Sequence, residues 1–231
     1  MSDASERVFS QAVQDYVKAI YKLQHEEEAV STTSLAKKIN ATPGGATKMI
    51  KQLAELKLIH HTPYYGVRLT PAGEKVALEI IRHHRLLELY LHQALGYGWD
   101  EVDAEAEKLE HHISEDFEDR IDRLLKYPLH DPHGDPIPTR EGTIAPLRGT
   151  PLSQSQPEER VIILRVRDGN PEALRYLARI GMKLGAKLEI KAREPFNGTL
   201  TLEVDGVPHS VAQDLAAQVF VEALSTLEEQ R

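Results

Sequence analysis

Three helix-start signals crowd into residues 31–71 and leave that stretch few ways to fold. The hydroxyl cluster Ser31-Thr32-Thr33-Ser34 opens a short helix through "LAKKIN", since such side chains accept hydrogen bonds from the first unpaired N–H groups of a helix. Thr42 followed by Pro43 opens a second helix, with proline at the position where a missing N–H costs nothing. Ile50, Leu53, Leu56 and Ile59 give it an inward stripe. "HHTPYYGVRL" reads as a hairpin turning at Pro63 and Gly66, and Thr70-Pro71 starts a long helix that runs to about residue 95. Upstream, residues 5–28 read as a helix, with Val8, Ala12, Val17, Ile20, Tyr21 and Leu23 at helical spacing.

Helix, short helix, turn, helix and hairpin is the order of a winged helix-turn-helix. The chain as a whole is acidic, with a formal net charge of -8. Yet Lys37, Lys38, Lys48, Lys51, Lys57 and Arg68 lie between residues 32 and 68, opposed only by Glu55. A local basic excess on this element order is the footprint of DNA binding. The N-terminal turn of the second helix would enter the major groove, which makes Thr42, Pro43, Gly44, Gly45, Thr47 and Lys48 the candidate contacts. Lys37, Lys51 and Arg68 would flank them on phosphates. Gly44 and Gly45 have two readings: close approach of bare backbone to phosphate, or a frayed helix start.

The stretch "DAEAEKLEHHISEDFEDR", residues 103–120, is densely acidic and almost without an apolar stripe. Like charges one turn apart repel. Asp100 is read as the cap of this helix and Ser114 as the cap of the next. On a helix, Glu107, Glu110 and His111 share a face, with Asp103 one turn earlier. His84 and Glu88 stand one turn apart on the preceding helix, and Asp15 lies on the first. Converging, these groups could hold a divalent cation. The alternative is a solvated acidic face with partly buried histidines. His60, His61, His130 and His133 fall in turns and are assigned no role.

Other classes are poorly supported. With no cysteine there is no disulfide, thiolate zinc site or cysteine nucleophile. Glu-x-x-His pairs, the His-Glu-x-x-His and Gly-x-Ser-x-Gly motifs and a P-loop are all lacking, so the chain does not read as an enzyme and no small-molecule substrate is expected. No apolar run of about 18 residues suggests a membrane span, and the polar N-terminus is no secretory signal, so a cytoplasmic protein is expected.

Composition shifts at Tyr127, where Pro, Gly and Ser become frequent. Beyond Arg160 the pattern is of short strands around one small helix, "NPEALRYLARI", which suggests a small β-barrel. The expected fold is mainly α with a C-terminal small β-barrel. The expected division is a winged helix-turn-helix over 1–72, a helical dimerisation and metal-binding domain over 73–142, a linker over 143–157, and the barrel over 158–231.

Four stretches in this order and spacing, "DYVKAIYKL", "ATKMIKQL" before a wing ending "RLTPAGEKVA", "HRLLELYL" and "EKLEHHIS", resemble the DtxR/MntR family of metal-dependent transcriptional regulators. "PHGDPIP" matches a turn common there, and the last 70-odd residues are similar to the SH3-like (FeoA-like) domain of its longer branch. The resemblance implies a homodimeric regulator of metal-uptake genes that binds a palindromic operator in double-stranded DNA. It implies a main metal site at Asp15, Glu107, Glu110 and His111, and a neighbouring one at His84, Glu88 and Asp103. Glu172 is the nearest candidate for a ligand from the C-terminal domain. Carboxylates at Asp15 and Glu107, where iron-type members carry methionine and cysteine, favour Mn2+, with Fe2+ as the second cation accepted. The chain departs from the manganese-type pattern at Lys18, where those members carry glutamate. Two other readings remain: a metal-binding helical enzyme or storage protein, and a metal-free winged-helix regulator.

Overall fold

A computed structural model describes residues 9–25, 27, 29–62, 65–196 and 198–224. The expected positions Val8 and Pro63 lie outside these described residues. The chain divides into two units, each described by itself. The first holds Met1–His84 with Leu109–Ser114 and Pro138–Ile144, and the second holds Arg85–Lys108, Glu115–Ile137 and Ala145–Arg231.

The first unit is built as its start signals require. Helix α1 (Gln11–Gln24) turns Val13, Val17, Ile20 and Leu23 inward. Full burial of such side chains contributes roughly 1.5–3 kcal/mol each. Ser31 caps α2 (Thr32–Lys38), accepting from the Ser34 N–H at 2.9 Å. Thr42 caps α3 (Pro43–Glu55), accepting from the Gly45 N–H at 3.1 Å. Each cap is worth about 1 kcal/mol. Strands β1 (Ile59–Thr62) and β2 (Gly66–Leu69) form the expected antiparallel hairpin. Val30 and Val67 exchange backbone hydrogen bonds, and Gln24 Oε1 accepts from the Leu69 N–H, so the hairpin is stitched to the helices. Thr70 Oγ1 then accepts from the Gly73 N–H at the start of α4 (Pro71–Leu95). A Cβ on Gly73 would overlap the Leu58 carbonyl oxygen, which is why a helix can begin this close to the chain entering the hairpin.

The acidic stretch is not one helix. Helix α5 (Val102–Leu109) stops before Glu110, residues 110–112 form a turn, and α6 (Glu115–Leu124) begins directly after Ser114. Helical spacing therefore does not set the direction of Glu110 and His111. Asp100 lies two residues before the start of α5. Its carboxylate takes the Arg175 guanidinium at 2.9 Å, while Glu101 Oε2 accepts from the Gly98 N–H.

The C-terminal part of the second unit is a six-stranded antiparallel sheet in the order β3-β8-β4-β5-β6-β7. The strands are β3 (Thr150–Pro151), β4 (Arg160–Val166), β5 (Lys187–Arg193), β6 (Leu200–Val204), β7 (Val207–Val211) and β8 (Val219–Ala223). Helix α7 (Pro171–Arg179), capped by Asn170, and the short α8 (Gln213–Ala216) accompany them. Among the described residues the pairing order runs from β3 to β7, an antiparallel sheet where the sequence suggested a small barrel. Its core is Leu152, Ile163, Leu174, Leu177, Met182, Ile190 and Leu202, against which Trp99 packs. The stretch read as a linker already contributes: β3 pairs with β8, and Leu152 is fully buried one residue later. Proline and glycine richness there reflects turn chemistry, not a free tether.

Candidate metal centre and nucleic-acid face

Within the first unit, α1 and the turn at 110–112 bring Gln14, Asp15, Lys18, Glu110 and His111 together. His111 Nδ1 lies 2.7 Å from Gln14 Oε1. An amide oxygen accepts only, so this bond places a ring proton on Nδ1 and leaves Nε2 as the nitrogen that faces the carboxylates. That Nε2 lies 2.8 Å from Asp15 Oδ1 and 3.2 Å from Glu110 Oε1. Two carboxylates and an imidazole nitrogen thus meet in a site where Glu110 is fully buried, and a cation could be held among them. The ligand atoms of Asp15, Glu110 and His111 lie within 4.8 Å of one another, and an oxygen-rich set with one imidazole suits a divalent transition metal. The residues fit the group.

The surroundings hold the turn in place. His83 Nδ1 donates to the Glu110 carbonyl oxygen at 3.2 Å, and Arg82 donates to the Pro138 carbonyl oxygen at 2.9 Å. His84 Nδ1 lies 2.6 Å from Glu110 Oε2, and Lys18 Nζ lies 2.8 and 2.7 Å from the two Glu110 oxygens. Burial pushes the Glu110 carboxyl up, but the hydrogen bond from His84 and the charge of Lys18 outweigh it and hold it below the usual carboxylate range.

The second unit contains another cluster. The ligand atoms of Glu88, Asp131 and His133 lie within 4.8 Å of one another, and all three residues are buried. His133 Nε2 donates to the Trp99 carbonyl oxygen at 2.8 Å, which turns its Nδ1 toward Glu88, 3.6 Å from Oε1. Burial, reinforced by Glu88 and Asp135, raises the Asp131 carboxyl well above its ordinary value, with Arg85 opposing. Sequence reasoning missed Asp131 and His133 because they lie in a turn without periodicity. The one signal was an imidazole between two aspartates in "DPHGD".

Among the other expected ligands, Glu88 and Asp103 have carboxylate oxygens within 4.8 Å of each other, and Glu107 is exposed on α5. Glu172 is exposed in the first turn of α7 and joins no cluster of metal-ligating groups among the described residues. Its backbone N–H is bound by Asn170, so its position serves the helix start.

On the opposite theme, Lys37, Thr42, Pro43, Gly44, Gly45, Thr47, Lys48, Lys51 and Arg68 are all exposed. Helix α3 is regular and capped from Pro43, which removes the frayed-start reading of the glycines. A Cβ on Gly44 would meet nothing within 4 Å, so packing inside the chain does not require glycine there. Thr42 Oγ1 is engaged in its cap, and the Thr47 hydroxyl donates to the Pro43 carbonyl oxygen at 2.8 Å. Both hydroxyls are thus engaged within the helix while their side chains stay exposed.

Comparison with known proteins decides the family. The chain matches the models of the iron dependent repressor N-terminal DNA binding domain over residues 8–67, of the iron dependent repressor metal binding and dimerisation domain over 70–139, and of the FeoA domain over 150–223. It is 30% identical to the HTH-type transcriptional regulator MntR of Geobacillus kaustophilus over 116 residues, 50% of this chain and 82% of that protein. The chain belongs to the DtxR/MntR family. A solved manganese-dependent transcriptional repressor in complex with manganese superposes with a TM-score of 0.86 at 37% identity, covering 92% of this chain and all of that one. The iron-dependent repressor IdeR of Mycobacterium tuberculosis is 31% identical over 123 residues, 53% of this chain and 54% of IdeR. The DtxR/MntR protein described here is thus of a family of metal-dependent transcriptional repressors, not enzymes, with a C-terminal FeoA domain. No helix among the described residues is long and apolar enough to cross a membrane.

Proposed function

We propose that this protein is a homodimeric, Mn2+-activated repressor of metal-uptake genes, acting in the cytoplasm on a palindromic operator, with Fe2+ as the second cation it accepts. The observation that carries the metal reading is the His111 ring: Gln14 holds its Nδ1, which turns Nε2 toward Asp15 and Glu110. Asp15, Glu110 and His111 would hold the activating cation, with Glu107 the further ligand implied by the resemblance. The cation supplies the positive charge that lets these acceptors share one site. Its effect is to favour the arrangement in which α1 is fastened to the turn at 110–112, and it can do so only by its differential affinity for that arrangement. For a second cation, Glu88 is the central ligand, with Asp131, His133 and Asp103 beside it and His84 completing the set that the resemblance implies. The carboxylate-rich donor sets, without sulfur, favour manganese over iron.

Helix α3 would enter the major groove, with Lys48 and Lys51 on phosphates and Gly44 where backbone meets the DNA. Two such helices, about one DNA turn or roughly 34 Å apart, would read the palindrome. Exposed Leu124, Tyr127 and Leu129 (61%, 66% and 75%) supply apolar surface for the dimer contact. Calorimetric titration with Mn2+ tests the metal reading. Wild type is expected to bind at the His111 site, and His111→Ala to lose that binding. Equal Mn2+ isotherms for the two proteins would refute the assignment.

A further inference from the structure

Lys18 is 5% exposed, and its ammonium grips both oxygens of Glu110 at 2.8 and 2.7 Å, across 92 residues of sequence. The same Nζ lies 3.4 Å from His84 Nδ1, the ring nitrogen that also faces Glu110. Lys18 is thus packed into the wall of the metal centre, on the same face of α1 as Asp15, one turn on. A buried carboxylate without a counter-charge is strongly disfavoured, and here the chain provides that charge itself. The ammonium and an incoming dication compete for the same Glu110 oxygens.

We propose that Lys18 is a resident counter-cation of the metal centre, which neutralises Glu110 in the metal-free protein and sets the threshold of metal at which the protein responds. This rests on the reading of Asp15, Glu110 and His111 as the activating site. Binding of metal requires Glu110 to give up at least one of its two bonds to Lys18, or the site to tolerate ammonium and dication side by side. Either raises the concentration of metal needed. In return, the metal-free protein stays folded around a satisfied carboxylate, so the lysine separates stability from activation.

The test uses the full chain as Lys18→Met, with Lys18→Gln as a second variant that keeps a hydrogen-bond donor without the charge. Two quantities are measured: the melting temperature in chelator, and the Mn2+ concentration giving half-maximal binding to a palindrome selected from random DNA. Removal of the charge is expected to lower the melting temperature in chelator by on the order of 5 °C. It is expected to lower the Mn2+ midpoint by about tenfold. A midpoint unchanged or raised in the variants that fold overturns the proposal and makes Lys18 an ordinary support of Glu110. Wild-type DNA binding indifferent to both Mn2+ and chelator overturns the metal reading beneath it.

Discussion

His111 Nε2 lies 2.8 Å from Asp15 Oδ1, joining the first helix to a turn 96 positions further along the chain, within one compact unit. The contact is set from behind, because Gln14, the residue next to Asp15, holds the other ring nitrogen at 2.7 Å. A partner that fixes the tautomer of a metal-binding histidine typically contributes 10–100-fold in affinity. Gln14→Leu should therefore raise the Mn2+ concentration needed for DNA binding by about 10–100-fold, while leaving the fold intact by circular dichroism. An unchanged midpoint would show that Gln14 does not orient the ring.

Lys48 is exposed on the first half of α3, with no side-chain hydrogen bond or ion pair among the described residues. Lys48→Ala should weaken binding to specific and non-specific DNA alike and reduce the slope of log affinity against log salt by about 1. Binding measured over a range of salt concentrations gives both quantities.

Gly44 separates two effects that usually travel together. Its Cβ position is open, so Gly44→Ala should stabilise the free protein, by up to about 1 kcal/mol in urea unfolding. The same methyl group would stand between the α3 backbone and DNA, so operator affinity should fall. A variant that is more stable and binds as tightly as wild type would remove Gly44 from the DNA-facing surface.

Leu124, Tyr127 and Leu129 are exposed around the end of α6. The double variant Leu124→Asp, Leu129→Asp should remain folded, sediment as a monomer and lose high-affinity operator binding, since one recognition helix cannot span a palindrome. A double variant that sediments as a dimer would place the interface elsewhere.

The architecture was largely legible because its signals are local. Ser31, Thr42 and Thr70 each accept the hydrogen bond that their position in the sequence announced. The proposed ligands Asp15, Glu110 and His111 were also legible, but by resemblance more than by periodicity. The helix that would have aligned Glu110 with His111 ends at Leu109, and they converge from a turn whose Glu110 carbonyl oxygen accepts from His83. What sequence could not show was the use of non-periodic residues. Asp131 and His133 are positioned by side-chain-to-backbone bonds in a turn, with Asp131 Oδ1 accepting from the His133 and Asp135 N–H groups at 2.8 and 3.0 Å. Lys18 could be noted as a departure from a pattern, but its bond to Glu110 depends on tertiary packing. The C-terminal strands were legible as a β-rich domain around a small helix, but their pairing order depends on tertiary contacts.

The most direct measurement of the account is operator binding by fluorescence anisotropy, using a palindrome selected from random DNA, in Mn2+ and again in excess chelator, for wild type and Asp15→Ala. The account predicts that chelation weakens wild-type binding by about a hundredfold, and that Asp15→Ala binds weakly in both conditions. Wild-type binding of equal strength with Mn2+ and with chelator would contradict it.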